Sequence, residues 1–166
     1  MVVEHEIELH ASPHRVLAEL THPDFLHAYA ADLGARLEGV ETAGEDGARR
    51  TALRLGVPTR GIPPAFSRFV GGAVTVVDTR TWRADGEGAT ADVEVRARIF
   101  GRAAVVRGRR ALAPAGAGTC ATATARVSVD APVVGRQAEA AVSELVLVVL
   151  RREAALLHRR LRLPPV

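Results

Sequence analysis

The stretch from about Val134 to Arg162 reads as one unbroken helix. At ~1.5 Å per residue it would reach roughly 40 Å, the width of a whole domain. Asp130-Ala131-Pro132 ends whatever precedes it and opens the helix. Ala138, Ala141, Val142, Leu145, Val149, Leu156 and Leu157 keep helical spacing, while Leu145 to Leu150 is apolar nearly all round, the pattern of a segment buried on several sides. Such a rod has to be buried against a surface of comparable length.

The rest of the chain can supply that surface. Val3, His5, Ile7 and Leu9 alternate with Glu4, Glu6 and Glu8, the period of a half-buried strand. Ser12-Pro13 then gives an N-cap followed by proline at the first helical position, with Val16, Leu17 and Leu20 on one face. A second short helix starts at Pro23, buries Phe25, Leu26, Tyr29 and Leu33, and stops at Gly34. From Ala35 the pattern becomes strands at roughly 35–43, 48–57, 73–84, 89–100, 103–113 and 118–130, separated by short glycine turns such as Asp85-Gly86-Glu87-Gly88 and Gly116-Ala117-Gly118. Short connections imply an antiparallel meander.

Ala91, Val93, Val95, Ala97 and Ile99 share one face of their strand, opposite Asp92, Glu94, Arg96 and Arg98. Ala104, Val106, Gly108 and Leu112 are expected inside on the next strand, and Ala121, Ala123, Ala125, Val127 and Val129 on the last. These small inward residues let a helix approach closely or leave a void. Between the third and fourth strands, Thr59 to Gly72 contains Pro63-Pro64 and the apolar run Ala65 to Val70, expected as a short helix capping one mouth of the sheet.

The 166 residues suit one α+β domain spanning 1–166, with no repeat or low-complexity linker at which a second could begin. A single cysteine, Cys120, excludes an internal disulfide. The first ten residues alternate apolar and acidic instead of following a secretory pattern, and no apolar run approaches the length of a spanning helix, so the cytoplasm is the expected location. The pI near 10.3 accompanies a formal net charge of only +3, because all 22 basic residues are arginines. Met1 to Asp46 is acidic and the remainder carries nearly all the arginines, which permits a polarised surface.

In this order (strand, two short helices, six antiparallel strands, long final helix) the chain resembles the START-like, helix-grip superfamily, also termed SRPBCC, which includes polyketide cyclases, coenzyme Q-binding proteins and Bet v-type plant lipid binders. Within it the chain resembles the bacterial domain-of-unknown-function family DUF 2505. The residues that carry the likeness are Glu4-His5, Ser12-Pro13, Pro23-Asp24-Phe25, Leu33-Gly34, the Pro64-to-Val70 cap, Trp82, Gly108 and Pro132-Val133-Val134-Gly135. The resemblance implies a seven-stranded curved antiparallel sheet around the C-terminal helix and an apolar ligand held between the two.

Candidate ligand contacts follow from parity and from that resemblance: His5, Phe66 and Phe69 of the cap, Asp78, Arg80, Trp82, Val95, Arg110, Leu145 and Val149. His5 shares its face with Val3, Ile7 and Leu9, either as a ligand-contacting or proton-transferring group or as a buried neutral ring. Asp78, Arg80 and Trp82 share parity with Val74 and Val76, and an inward Arg110 would need an acidic partner such as Asp78 or a ligand anion. The cheaper expectation is that strand-end twist carries these charges to the rim.

Other chemistry lacks a basis in the sequence. The six histidines form no metal pattern, Cys120 lies on the outward parity without a base, and neither a catalytic triad nor a phosphate-cradling glycine loop is present, so no cofactor is expected. Arg96, Arg98, Arg107 and Arg109 project outward, but aromatic platforms are scarce and pairing with Asp92 and Glu94 explains them, which argues against nucleic acid. The arginine-rich helix end, Arg151 to Arg162, suggests transient contact with an anionic membrane surface. Three functions stay open: carriage of a small apolar molecule such as a lipid, isoprenoid or polyketide-like compound; a cyclase-like or hydratase-like enzyme using His5 with Asp78 or Arg110; and a structural domain with a filled core, monomeric or dimerising through its helix.

Overall fold

The computed structural model describes residues 1–45, 48–58, 73–99 and 101–162. The chain runs β1 (Val2–Leu9), α1 (Pro13–Leu20), α2 (Pro23–Asp32), β2 (Arg36–Glu45), β3 (Ala48–Pro58), β4 (Ala73–Asp85), β5 (Gly88–Ile99), β6 (Arg102–Ala115), β7 (Gly118–Val129) and α3 (Gly135–Leu161). The seven strands form one antiparallel sheet in the order β1-β7-β6-β5-β4-β3-β2. Thus the first strand pairs with the last, and the intervening strands follow as a meander. The expected cap, with Phe66 and Phe69, lies outside the described residues.

Local chemistry sets the element ends. The Ser12 hydroxyl accepts the Arg15 amide at 3.3 Å, capping α1 with Pro13 at its first position. At the end of α2, Gly34 takes φ +66°, and Gly86 takes φ +58° in the β4–β5 turn, conformations that side chains with a Cβ resist. The Thr119 hydroxyl donates to the Ala11 carbonyl at 2.6 Å, tying β7 to the chain between β1 and α1.

The core concentrates at one end of the concave face. Leu9, Val16, Leu20, Phe25, Leu26 and Tyr29 pack with Trp82, Leu112, Leu156 and Leu157, and the Phe25 and Tyr29 rings stack with centroids 6.3 Å apart. The helix runs closest to β1 and β7 and touches α1 and α2. One expectation fails here: within Leu145 to Leu150 only Leu150 is buried, and Val148 is 45% exposed. A single sheet covers one side of a helix, and among the described residues no further layer covers the other. No helix among them is long and apolar enough to cross a membrane.

Candidate functional site

Strand register assembles the site. Trp82 on β4, Ala91 on β5, Arg110 on β6, Ala123 on β7 and His5 on β1 are successive cross-strand partners, one row along the concave face. The next row along the strands is Arg80, Val93, Gly108, Ala125 and Val3, and the one after it contains Asp78, Val95, Val106 and Val127. Residues in one row point to the same face because side chains alternate along every strand.

These rows carry charge into the interior, where α3 meets it. Asp78, Arg80 and Glu153 are 5%, 4% and 3% exposed. Arg80 donates Nε and Nη2 to the two Asp78 oxygens at 3.2 and 2.8 Å, and Nη1 to Glu153 Oε2 at 2.7 Å. Its Nη2 also reaches the Tyr29 hydroxyl at 3.4 Å, and the guanidinium lies 5.4 Å from the centroid of the Tyr29 ring. Arg110 donates Nη1 to the other Glu153 oxygen. Two carboxylates therefore face two guanidiniums, and the buried formal charge sums to zero.

This arrangement corrects the expectation that the strand charges turn to the rim. The physical reason is Glu153, which α3 inserts from the opposite wall. Neutralised on two sides, Arg80 stays inside, and Arg110 pairs with Glu153 instead of Asp78. Burial acts to raise the Glu153 carboxyl, but Arg110 and Arg80 overcome it and hold the group down at about 2. For Arg80, burial acts downward and is outweighed by Asp78 and Glu153, so its pKa lies well above the usual arginine value. Burial pushes the Tyr29 hydroxyl up against the opposing pull of Arg80, so it stays protonated. At neutral pH Glu153 is therefore a fixed anion and Arg80 a fixed cation.

Beside the cluster lies a cavity of about 30 Å³, lined among others by His5, Trp82, Arg110, Leu112, Leu150 and Glu153. By that measure a water needs roughly 10–15 Å³, so one or two would fit. Two buried ring nitrogens on this lining, His5 Nε2 and Trp82 Nε1, have no hydrogen-bond partner among the described residues. Trp82 is 1% exposed, and His5 is half-buried. A larger depression of about 310 Å³ lies apart, near the β2–β3 hairpin, lined by Thr21, Thr42, Arg49, Arg50 and Thr51; it does not touch α3, and Arg49 is already bonded to the Thr21 hydroxyl.

Of the residues expected at the site, His5, Trp82 and Arg110 share the smaller cavity, while Asp78 and Arg80 sit behind it in the ion cluster. The trio of His5, Asp78 and Arg110 does not converge on one void. Val95, Leu145 and Val149 are half-buried further along the groove, and Phe66 and Phe69 lie outside the described residues. Sequence reasoning missed Glu153 and the Tyr29 contact. A signal for Glu153 existed: it is a charge set among apolar residues of the inward stripe, four residues after Val149 and three and four before Leu156 and Leu157.

Of the outward arginines singled out above, Arg96, Arg107 and Arg109 are spent on neighbours. Glu94 pairs with Arg96 and Arg107, and Asp92 with Arg83 at 2.7 Å and Arg109 at 3.5 Å. At the end of α3, Arg152 donates to the Asp32 carbonyl at 2.8 Å, Arg159 pairs with Asp32, and Arg160 pairs with Glu19. These arginines fasten α3 to α1 and α2. Among the described residues no group of His, Cys, Asp and Glu could hold a metal.

A curved antiparallel sheet gripping a long C-terminal helix, with two short helices after β1, defines a START-like domain. The chain belongs to the family described as Protein of unknown function (DUF2505), whose model matches residues 4–161. A comparison with curated proteins found no match. Among solved structures, a protein from Thermus thermophilus is 19% identical with a TM-score of 0.61, and the match covers 96% of each chain. A START superfamily protein from Mycobacterium smegmatis is 17% identical, with a TM-score of 0.59 and coverage of 96% of this chain and 95% of that one. Norcoclaurine synthase from Thalictrum flavum, in complex with dopamine and hydroxybenzaldehyde, is 16% identical with a TM-score of 0.58, covering all of this chain and 89% of that one. At these identities the likeness concerns the fold.

Proposed function

We propose that the domain binds and carries a small, largely apolar molecule between the concave sheet face and α3. The observation that supports this is a change in burial along one face of the helix. Glu153 and Leu157 are buried, yet Val149, Val146 and Val142, on the same face four, seven and eleven residues before Glu153, are only half-buried. On the inner face of β5 and β6, Val93, Val95, Ala97 and Gly108 are half-buried too, beside buried Ala104 and Val106. Apolar side chains between a sheet and its helix are ordinarily shut off from water, so this half of the groove is under-filled, and an apolar guest would complete it. The charged side chains of the cluster are spent on one another, which favours carriage over acid–base chemistry. Cytoplasmic residence belongs to the same proposal.

The test is titration with the apolar fluorophore N-phenyl-1-naphthylamine. One saturable site per chain is expected, and Val149→Trp, which fills the groove, should abolish it while the far-UV spectrum is unchanged. No saturable binding, or full binding by Val149→Trp, would refute the proposal. A second reading, a domain filled by its own side chains and acting through its surface, draws on the 30 Å³ cavity, far below the roughly 300–1,000 Å³ of ordinary ligand sites. The same titration separates the two.

A further inference from the structure

The cavity beside the ion cluster has a chemical bias that the apolar groove lacks. Trp82 Nε1 can only donate, and it is buried with no acceptor among the described residues. His5 Nε2 is likewise buried without a partner among them and can act in either sense. Arg110 also lines the cavity and has donors beyond the Nη1 it commits to Glu153. Glu153, the carboxylate on the lining, is engaged at both oxygens. Leaving buried donors unmet is unfavourable, so a void bounded by these groups selects an acceptor.

Charge narrows the choice. The cluster of Asp78, Arg80, Glu153 and Arg110 is already neutral, so a carboxylate placed here would be an extra buried anion that the cluster does not offset. A hydroxyl or carbonyl oxygen needs no such compensation. The size agrees: about 30 Å³ admits a head group and not a whole molecule. Resting on the ligand-binding reading above, we infer that the guest is an apolar molecule with a neutral oxygen head, hydroxyl or carbonyl, received by the Trp82 indole N–H in the cavity that His5 and Arg110 also line. Either oxygen would accept from Trp82 Nε1, which can only donate.

Trp82 is the only tryptophan, so its indole N–H gives one resonance in a ¹⁵N-labelled sample. The full chain is titrated at pH 7 with four ten-carbon probes: decane, 1-decanol, 2-decanone and decanoic acid. Decanol and decanone should move the indole resonance saturably and bind about tenfold tighter than decane, the gain from one buried hydrogen bond. Trp82→Phe should bring the decanol-to-decane affinity ratio close to one; should this variant not fold, the indole shift in the native protein still decides. If decane and decanol bind equally and the indole signal stays put, the groove stands as an apolar site and the head-group inference falls. Tightest binding by decanoate would overturn the neutral head. If no probe binds, the ligand-binding reading itself fails and takes this inference with it.

Discussion

Replacing Glu153 by glutamine removes one charge and almost no volume, and the structure fixes the consequence. In the native protein the carboxylate accepts from Arg80 and Arg110 while 3% exposed. Glu153→Gln leaves two guanidiniums facing one carboxylate, a buried excess of one positive charge. Breaking a buried pair in this way costs about 3–5 kcal/mol. Linkage gives a second route. The carboxyl falls from its ordinary 4.5 to about 2, and at ~1.4 kcal/mol per unit this amounts to about 3 kcal/mol. Because the folded-state value is depressed, that stabilisation is fully present above about pH 4.5 and is lost as pH falls through about 2. A protonated Glu153 resembles glutamine, so the variant should be less stable than the native protein by about 3 kcal/mol at pH 7, with the gap shrinking below about pH 4.5 and closing near pH 2. At roughly 2–4 °C per kcal/mol for a domain of this size, Tm at pH 7 should drop by about 6–12 °C. Urea denaturation at pH 7, 5, 4 and 3 measures the gap directly. A difference under about 1 kcal/mol at pH 7, or one that does not change with pH, would refute the claim that this carboxylate is the hub of the cluster.

Two further outcomes follow from the same geometry. Adding Arg110→Met to Glu153→Gln restores charge balance between Asp78 and Arg80, so the double variant should be more stable than the sum of the single losses by at least about 1 kcal/mol, measured as a coupling energy in urea. Gly108→Ala should lower stability by about 2 kcal/mol or more in thermal melts, because a Cβ there would lie 2.1 Å from the Thr124 carbonyl oxygen and 3.0 Å from Ala125 Cα, both backbone atoms of the adjoining strand. A melt within about 2 °C of the native protein would show that β6 and β7 can separate without loss.

The fold was readable because its signals are local and repeated. Period-two alternation, glycine turns and the caps at Ser12 and Gly34 each act within a few residues, and they agree with the register observed from β1 to β7. Parity also put His5, Trp82 and Arg110 on the inner face. It put Asp78 and Arg80 there too; the expectation that twist carries them to the rim failed, since the answer depends on a residue some seventy positions away in sequence. Strand parity tells which way Arg80 points; only the docking of α3, which brings Glu153 within 2.7 Å, decides that the charge can stay there. Helix periodicity misjudged Leu145 to Leu150 for a related reason, because apolar residues all round a helix state what could be buried without saying how many surfaces arrive to bury it.

The anchorage of α3 differs along its length. At the α1–α2 end, aromatic packing of Phe25, Tyr29 and Trp82 and the four-residue ion network hold α3 to β4 and β6, while Arg152, Arg159 and Arg160 fasten its last turns to α1 and α2. Near its start, Glu139 accepts the Val129 amide at 3.4 Å and lies 3.9 Å from the Met1 amino group, a lighter tie to the ends of β7 and β1. Between these two anchorages Val142, Leu145, Val146 and Val149 are half-buried, apolar side chains whose attraction has no preferred geometry. Small inward residues on β5 to β7, among them Ala97, Gly108 and Ala125, keep the opposing wall low along this stretch. In the carriage proposed above, a rigid anchor beside a groove of non-directional contacts is the mechanical requirement for loading and releasing an apolar ligand.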